Sequence, residues 1–227
     1  MLKRLSIGLL TLIATVIASR VSCADDVLWV GSWNIKAVDT KYVDLLQYGE
    51  VQVSDHAPAP VQYQLSGRVA FDPWQSLGFM LGYTYLSRQV HNGLSDEWDD
   101  LPTHRFEVEI NPRWDLGKGV KLSLRNRFEE RWVENKPGTY PRSRHRLELT
   151  VPVRKAGPVS DAFTYVEPFV DWRTGEINQI RVVPLGLTFE LSKQVSLRTF
   201  YAWQTFQSDS SHYNENMIWT QWLISLH

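Results

Sequence analysis

Arg125, Arg127, Glu129 and Arg131 occupy every second position of one stretch, and Arg142, Arg144, Arg146 and Glu148 repeat the pattern in the next. His145, Leu147, Leu149 and Val151 stand between members of the second set. Side chains alternate faces along a β-strand, so each stretch has one heavily charged face and one largely apolar face. A helix would scatter the same residues around its axis. The chain is therefore read as β, and the next question is which face of the sheet meets water.

Comparable alternation extends from end to end. Strand candidates lie at Val27–Ala37, Val61–Phe71, Leu77–Tyr85 and Arg105–Asp115, then in the two arginine-rich stretches. Phe163–Arg173, Gln179–Leu191, Val195–Phe206 and Asn216–Leu226 complete a set of ten. Each is close to the roughly 9–11 residues that cross a bilayer as a tilted strand. Short connections are expected near Pro73-Trp74-Gln75, Leu116–Gly119 and Ser192-Lys193. Longer polar ones are expected at Arg88–Thr103, Glu134–Pro141 and Gln207–Glu215. Short turns at one end and long loops at the other suit an outer-membrane barrel, and an even strand number returns the C-terminus to its starting side. Val38–Pro60 reads as one long loop, although Leu45–Val53 could supply additional strand and raise the count to twelve.

The N-terminus carries an export signal. Lys3 and Arg4 precede an apolar core at Leu5–Ala18, and Ser22-Cys23-Ala24 offers a small-residue cleavage site before Asp25. Residues 1–24 are thus expected to be removed, leaving one barrel domain over 25–227. Arg20 and Val21 stand where a lipoprotein signal wants Leu and a small residue, which argues against lipidation of Cys23. Cleavage takes away the sole cysteine, and with it disulfide and thiol chemistry. It also takes Lys3, Arg4 and Arg20 from the 24 basic residues, leaving 21 against 25 acidic ones. A net charge of −4 gives no reason to expect a nucleic-acid partner.

No apolar run beyond residue 24 approaches the roughly 20 residues of a membrane-spanning helix, yet Trp, Tyr and Phe number 10, 9 and 9. Alternation by itself leaves two architectures open. A soluble barrel would turn its charges outward, whereas a membrane barrel would turn them into its lumen. Ten strands would enclose a very large apolar interior for a soluble barrel. Tyr83, Tyr85, Trp114, Trp132, Trp172 and Trp203, near strand ends, suit interfacial girdles.

The chain also resembles a family of bacterial outer-membrane β-barrels catalogued as a domain of unknown function, the DUF2490 type. The matching features are Arg125-x-Arg127-x-Glu129-x-Arg131, Arg142-x-Arg144-x-Arg146, Glu167-x-Phe169, Arg181 before Gly186-Leu187, and Tyr201, in that order. The resemblance spans about residues 60–227. It implies an antiparallel barrel in the bacterial outer membrane, with membrane lipids and the barrel-assembly machinery as partners and with no established activity. The last strand keeps its alternation through Trp222, Ile224 and Leu226 but ends on His227 rather than on an aromatic residue.

Three functions are open to the charged face and its surroundings. The first is a plug. Arg105, Glu107 and Glu109 would stand beside Arg125, Arg127, Glu129 and Arg131, then Arg142, Arg144, Arg146 and Glu148, then Glu167 and Asp171. Opposite charges on adjacent strands pair, and a narrow lumen can be filled by side chains. The second is a small anion-selective pore for an acidic solute, since arginine outnumbers acid on the two central strands. The third is a lipid-deacylating enzyme that uses Ser143 as nucleophile, His145 as base and Glu130 as the orienting acid, all on the opposite face. No cofactor is expected. His56, His91, His104 and His212 show no metal-ligand spacing, and no nucleotide-binding glycine loop occurs.

Overall fold

The computed structural model describes residues 27–54, 61–92, 97–153, 157–208 and 211–226. The expected signal peptide and His56 lie outside them. Every element among the described residues is a strand. They are β1 (Val27–Asp39), β2 (Val43–Ser54), β3 (Gln62–Trp74), β4 (Leu77–Asn92), β5 (Glu97–Gly117) and β6 (Val120–Val133). They continue as β7 (Arg142–Pro152), β8 (Val159–Asp171), β9 (Glu176–Glu190), β10 (Val195–Ser208) and β11 (Ser211–Ser225). Each pairs with its sequence neighbours in antiparallel fashion, and β1 pairs with β11 to close a barrel.

Eleven strands correct the expected ten, and they correct twelve as well. The segment read as the loop Val38–Pro60 contains β2, where Leu45–Val53 was the candidate for additional strand; it pairs with β1 from Ser54 to Asp44 and with β3 from Val43 to Gln52. Two features hid it. Leu45 and Leu46 are adjacent and break the alternation, and Gly49 occupies an outward position with no side chain to register. That glycine is required: a Cβ there would fall 2.0 Å from the Trp33 ring, which lies across it from β1.

An odd count changes how the barrel shuts. The closing pair is parallel, with Val27 opposite Asn216 and Lys36 opposite Ser225. Residues 27 and 226 therefore lie at opposite ends of the barrel, against the even-parity expectation. Two of the expected long loops are largely strand. β4 and β5 stay paired out to Asn92 opposite Glu97, and β10 and β11 out to Ser208 opposite Ser211. The turns at residues 75–76 and 118–119 are tight, and the latter places Gly117, Lys118 and Gly119 all at positive φ. These lie at what we call the turn end. The eight-residue connection 134–141 lies at the loop end.

The faces sort cleanly. On β5, Arg105, Glu107 and Glu109 are buried in the lumen while Phe106 and Ile110 are exposed outside. On β7, Arg144 is buried and Leu147 is 44% exposed. The outer wall presents Leu65, Val69, Leu81, Val151, Val166 and Ile180, with Trp74, Trp114 and Trp222 towards the turn end and Trp29, Trp132 and Trp172 towards the loop end. The lumen has two halves. Strands β3 to β9 contribute arginine and glutamate. Val30, Phe163, Tyr165, Val183, Phe200, Met217 and Trp219, from β1 and β8–β11, form an apolar cluster opposite. Gly186 makes room for that cluster, since a Cβ there would fall 2.2 Å from the Phe163 ring.

Candidate functional site

The register of β5–β9 turns the alternating charges into a layer of ion pairs. Four glutamates form its centres, and all are buried: Glu107 and Glu167 are 0% and Glu109 and Glu129 3% exposed. Glu107 meets Arg105 at 2.7 Å, Arg68 at 3.2 Å and Arg127 at 3.3 Å. Glu109 also pairs with Arg127. Glu129 takes Arg142 at 2.6 Å and Arg144 at 3.4 Å, with Arg105 and Arg127 at 3.8 Å. Glu167 gathers Arg125 at 2.5 Å, Arg146 at 3.1 Å, Arg144 at 3.2 Å and Arg181 at 3.8 Å.

The remaining residues read from the sequence sit around this layer. Arg131 donates from Nε to the Tyr140 carbonyl, 3.0 Å away at the loop end. Glu148 pairs with Arg198 across the lumen at 2.8 Å. Asp171 pairs with Arg173 at 3.1 Å, where β8 enters its turn. Sequence reasoning did not assign Arg68, Arg181 or Arg198 to the network. Each stands among neutral neighbours on its strand: Arg181 meets Glu167 as its register partner on β8, Arg68 meets Glu107 across Gly82 of β4, and Arg198 meets Glu148 across the lumen. The place of Arg181 before Gly186-Leu187 in the family resemblance is the signal in the sequence that points to it.

Aromatic rings hold several of these guanidiniums flat. Arg198 lies 3.7 Å from the Phe163 ring centre, Arg146 4.1 Å from Tyr165 and Arg144 4.5 Å from Phe169. Stacking fixes the planes while the carboxylates take the N–H groups edge-on.

The layer does not fill the lumen. A cavity of about 1110 Å³ extends from the loop end down to Arg125 and Arg146 on one side and to Asn34 and Leu223 on the other. Arg68, Arg105, Arg127, Arg142, Arg144 and Arg181 line it on one side; Leu28, Phe200, Met217 and Trp219 line it on the other. Glu107, Glu109, Glu129 and Glu167 are absent from that lining, whereas all eight arginines paired with them belong to it. A second cavity, about 180 Å³, lies towards the turn end and shares Arg125 and Arg146 as its wall. Eight guanidiniums against four carboxylates leave an excess of four positive charges in the network.

The outer wall holds a different group. Ser143 and His145 project outward from β7, with the His145 Nε2 3.0 Å from the Ser143 Oγ. The His145 Nδ1 lies 2.9 Å from the Asn126 Oδ1 of β6. Glu130, proposed from a simple hairpin register, has no place in this chain: the observed register sets Asn126 opposite His145 and Phe128 opposite Ser143. Both imidazole nitrogens are already engaged. His104, also on the outer wall, lies 2.5 Å from the Tyr83 hydroxyl. Among the described residues, no group of three His, Cys, Asp or Glu could hold a metal ion.

A family model described as a protein of unknown function (DUF2490) matches residues 32–217. Neither a curated protein nor a solved structure matches the chain.

Proposed function

This chain belongs to the DUF2490 family of proteins of unknown function, and from that premise we propose an outer-membrane β-barrel whose lumen is a closed cup for a small organic anion. Lipid would cover the apolar outer wall, and the tryptophans near either end would lie at the two interfaces. Export would depend on the signal at residues 1–24, and insertion on the barrel-assembly machinery. A contiguous apolar surface around a barrel whose charge network turns inward has no good solvent in water.

The single observation that carries the cup is the placement of opposite charges about the cavity. Glu107, Glu109, Glu129 and Glu167 lie within the layer and their eight guanidiniums face the open space, four charges in excess, while Glu50 and Glu215 are the carboxylates that reach the lining. Arginines left with spare N–H donors beside a cavity favour a carboxylate or phosphate. The apolar half of the wall suits the body of an organic acid. The ion-paired layer at Arg125, Glu167 and Arg146 serves as the floor of the cup.

Purified barrel titrated with benzoate or inorganic phosphate, against chloride at matched ionic strength, should resist urea better with either anion. Saturation at 100 times Kd would add about 2.7 kcal/mol. Benzoate should act at lower concentration, because its ring meets Phe200 and Trp219. Arg181→Gln should weaken both. Planar bilayers holding the wild-type protein should carry no steady current. An anion-selective current would replace the cup with an open pore, and no response to either anion would remove the ligand.

A further inference from the structure

We propose that Ser143, His145 and Asn126 form an acyl-ester hydrolase site on the outer wall of the barrel, acting on lipids that carry long-chain acyl esters. The Asn126 amide sets the direction of the proton chain. Asn126 donates from Nδ2 to the Ile110 carbonyl on β5 at 3.2 Å, which fixes which end of the amide faces β7. Its Oδ1 therefore meets the His145 Nδ1 at 2.9 Å. An amide oxygen only accepts, so the proton of the neutral imidazole sits on Nδ1. The lone pair is left on Nε2, 3.0 Å from the Ser143 Oγ. The serine hydroxyl donates to it, and the Trp172 indole donates to the same Oγ at 3.0 Å.

Every donor in this chain meets an acceptor, and the result is a base held in its working tautomer against a nucleophile. That is the relation a serine hydrolase needs. Polar groups on a lipid-facing wall are costly, and three of them in series on a wall of Leu, Val and Ile call for a reason. An uncharged amide as the orienting group fits this place better than a carboxylate would. It holds the imidazole without bringing a charge into lipid. Phe128 packs edge-on against both His145 and Trp172, with ring centres 6.2 and 5.7 Å away, and closes the side of the site.

Ser143 is 2% exposed and Trp172 54%. The indole thus covers the hydroxyl, and the substrate's acyl ester must displace it. Attack of Oγ on the ester carbonyl forms the new C–O bond while the Oγ proton passes to Nε2. The imidazolium then rests its Nδ1–H on Asn126. The Trp172 N–H, which donates to Oγ at 3.0 Å in the resting site, turns to the developing oxyanion as the ester takes its place. Collapse breaks the bond to the alcohol, which leaves with the proton from Nε2. Water, activated by the same nitrogen, then frees the fatty acid and restores Ser143. Water is the only co-reactant.

The membrane reading supplies the substrate, whereas the proton chain stands on geometry alone, so the two fail separately. Fractionation tests the first. For the second, full-length barrel in mixed micelles is given phosphatidylethanolamine or hexa-acylated lipid A, and released fatty acid is measured. In parallel it is treated with a fluorophosphonate probe. Wild type should release fatty acid or bear the probe on Ser143. Ser143→Ala should abolish both, and His145→Ala should slow release on the order of 10³-fold or more. Glu130→Gln should leave the rate unchanged. The lipid that is cleaved identifies the source of the ester. Heat-modifiable gel mobility confirms that each variant is folded. Folded wild type that neither hydrolyses nor labels overturns the proposal, and so does activity that survives Ser143→Ala.

Discussion

Glu129 concentrates the chemistry of the lumen in one side chain. Four guanidiniums converge on its carboxylate, which is itself buried behind them although they border the cavity. Glu129→Gln keeps the shape and one accepting oxygen but strands those cations, and removing one partner of a buried pair typically costs about 3–5 kcal/mol. Urea unfolding of the variant in detergent should show a loss of that size; an unchanged midpoint would mean the arginines are neutralised by solvent. At this scale the sequence was legible where charges recur. Arg105 to Glu148 could be read because period two is the signature of one strand face. Arg68, Arg181 and Arg198 could not, since a lone charge among neutral neighbours carries no period. Asn126 escaped for a different reason: which residue faces His145 depends on the β6–β7 register, and no strand pattern encodes an offset of a few residues across an eight-residue loop.

The strands were read more reliably in the wall than at its edges. β3 to β10 follow the alternation of apolar and polar residues wherever one side packs on apolar surroundings and the other on the lumen. The pattern fades where β4 and β5 run on past Arg88 and before Thr103. β2 disappeared because its outward glycine accommodates a neighbour's tryptophan, and an absent side chain has no hydropathy to alternate. The outer wall also gives the sharpest mutational contrast. Leu147 faces outward and Thr150, three residues on, faces inward beside Lys121. Arg at a lipid-facing midplane position costs about 2–4 kcal/mol. Leu147→Arg should therefore lower the yield of folded barrel in bilayers far more than Thr150→Arg. Equal losses would argue that this wall meets no lipid.

For the whole molecule, the consequence lies in the parallel seam between β1 and β11. A chain that crosses the wall eleven times finishes on the side opposite its start. If the barrel spans the outer membrane as proposed, short peptides joined ahead of Val27 and behind Leu226 would be sorted to different compartments. On intact cells an antibody should find one epitope and miss the other, and permeabilisation should reveal the second. Both epitopes on one side would require an even number of crossings. Set in the outer membrane as proposed, an eleven-stranded barrel would connect a surface-exposed address and a periplasmic one in a single short chain, so a label carried outside could be tethered to cargo held within the envelope.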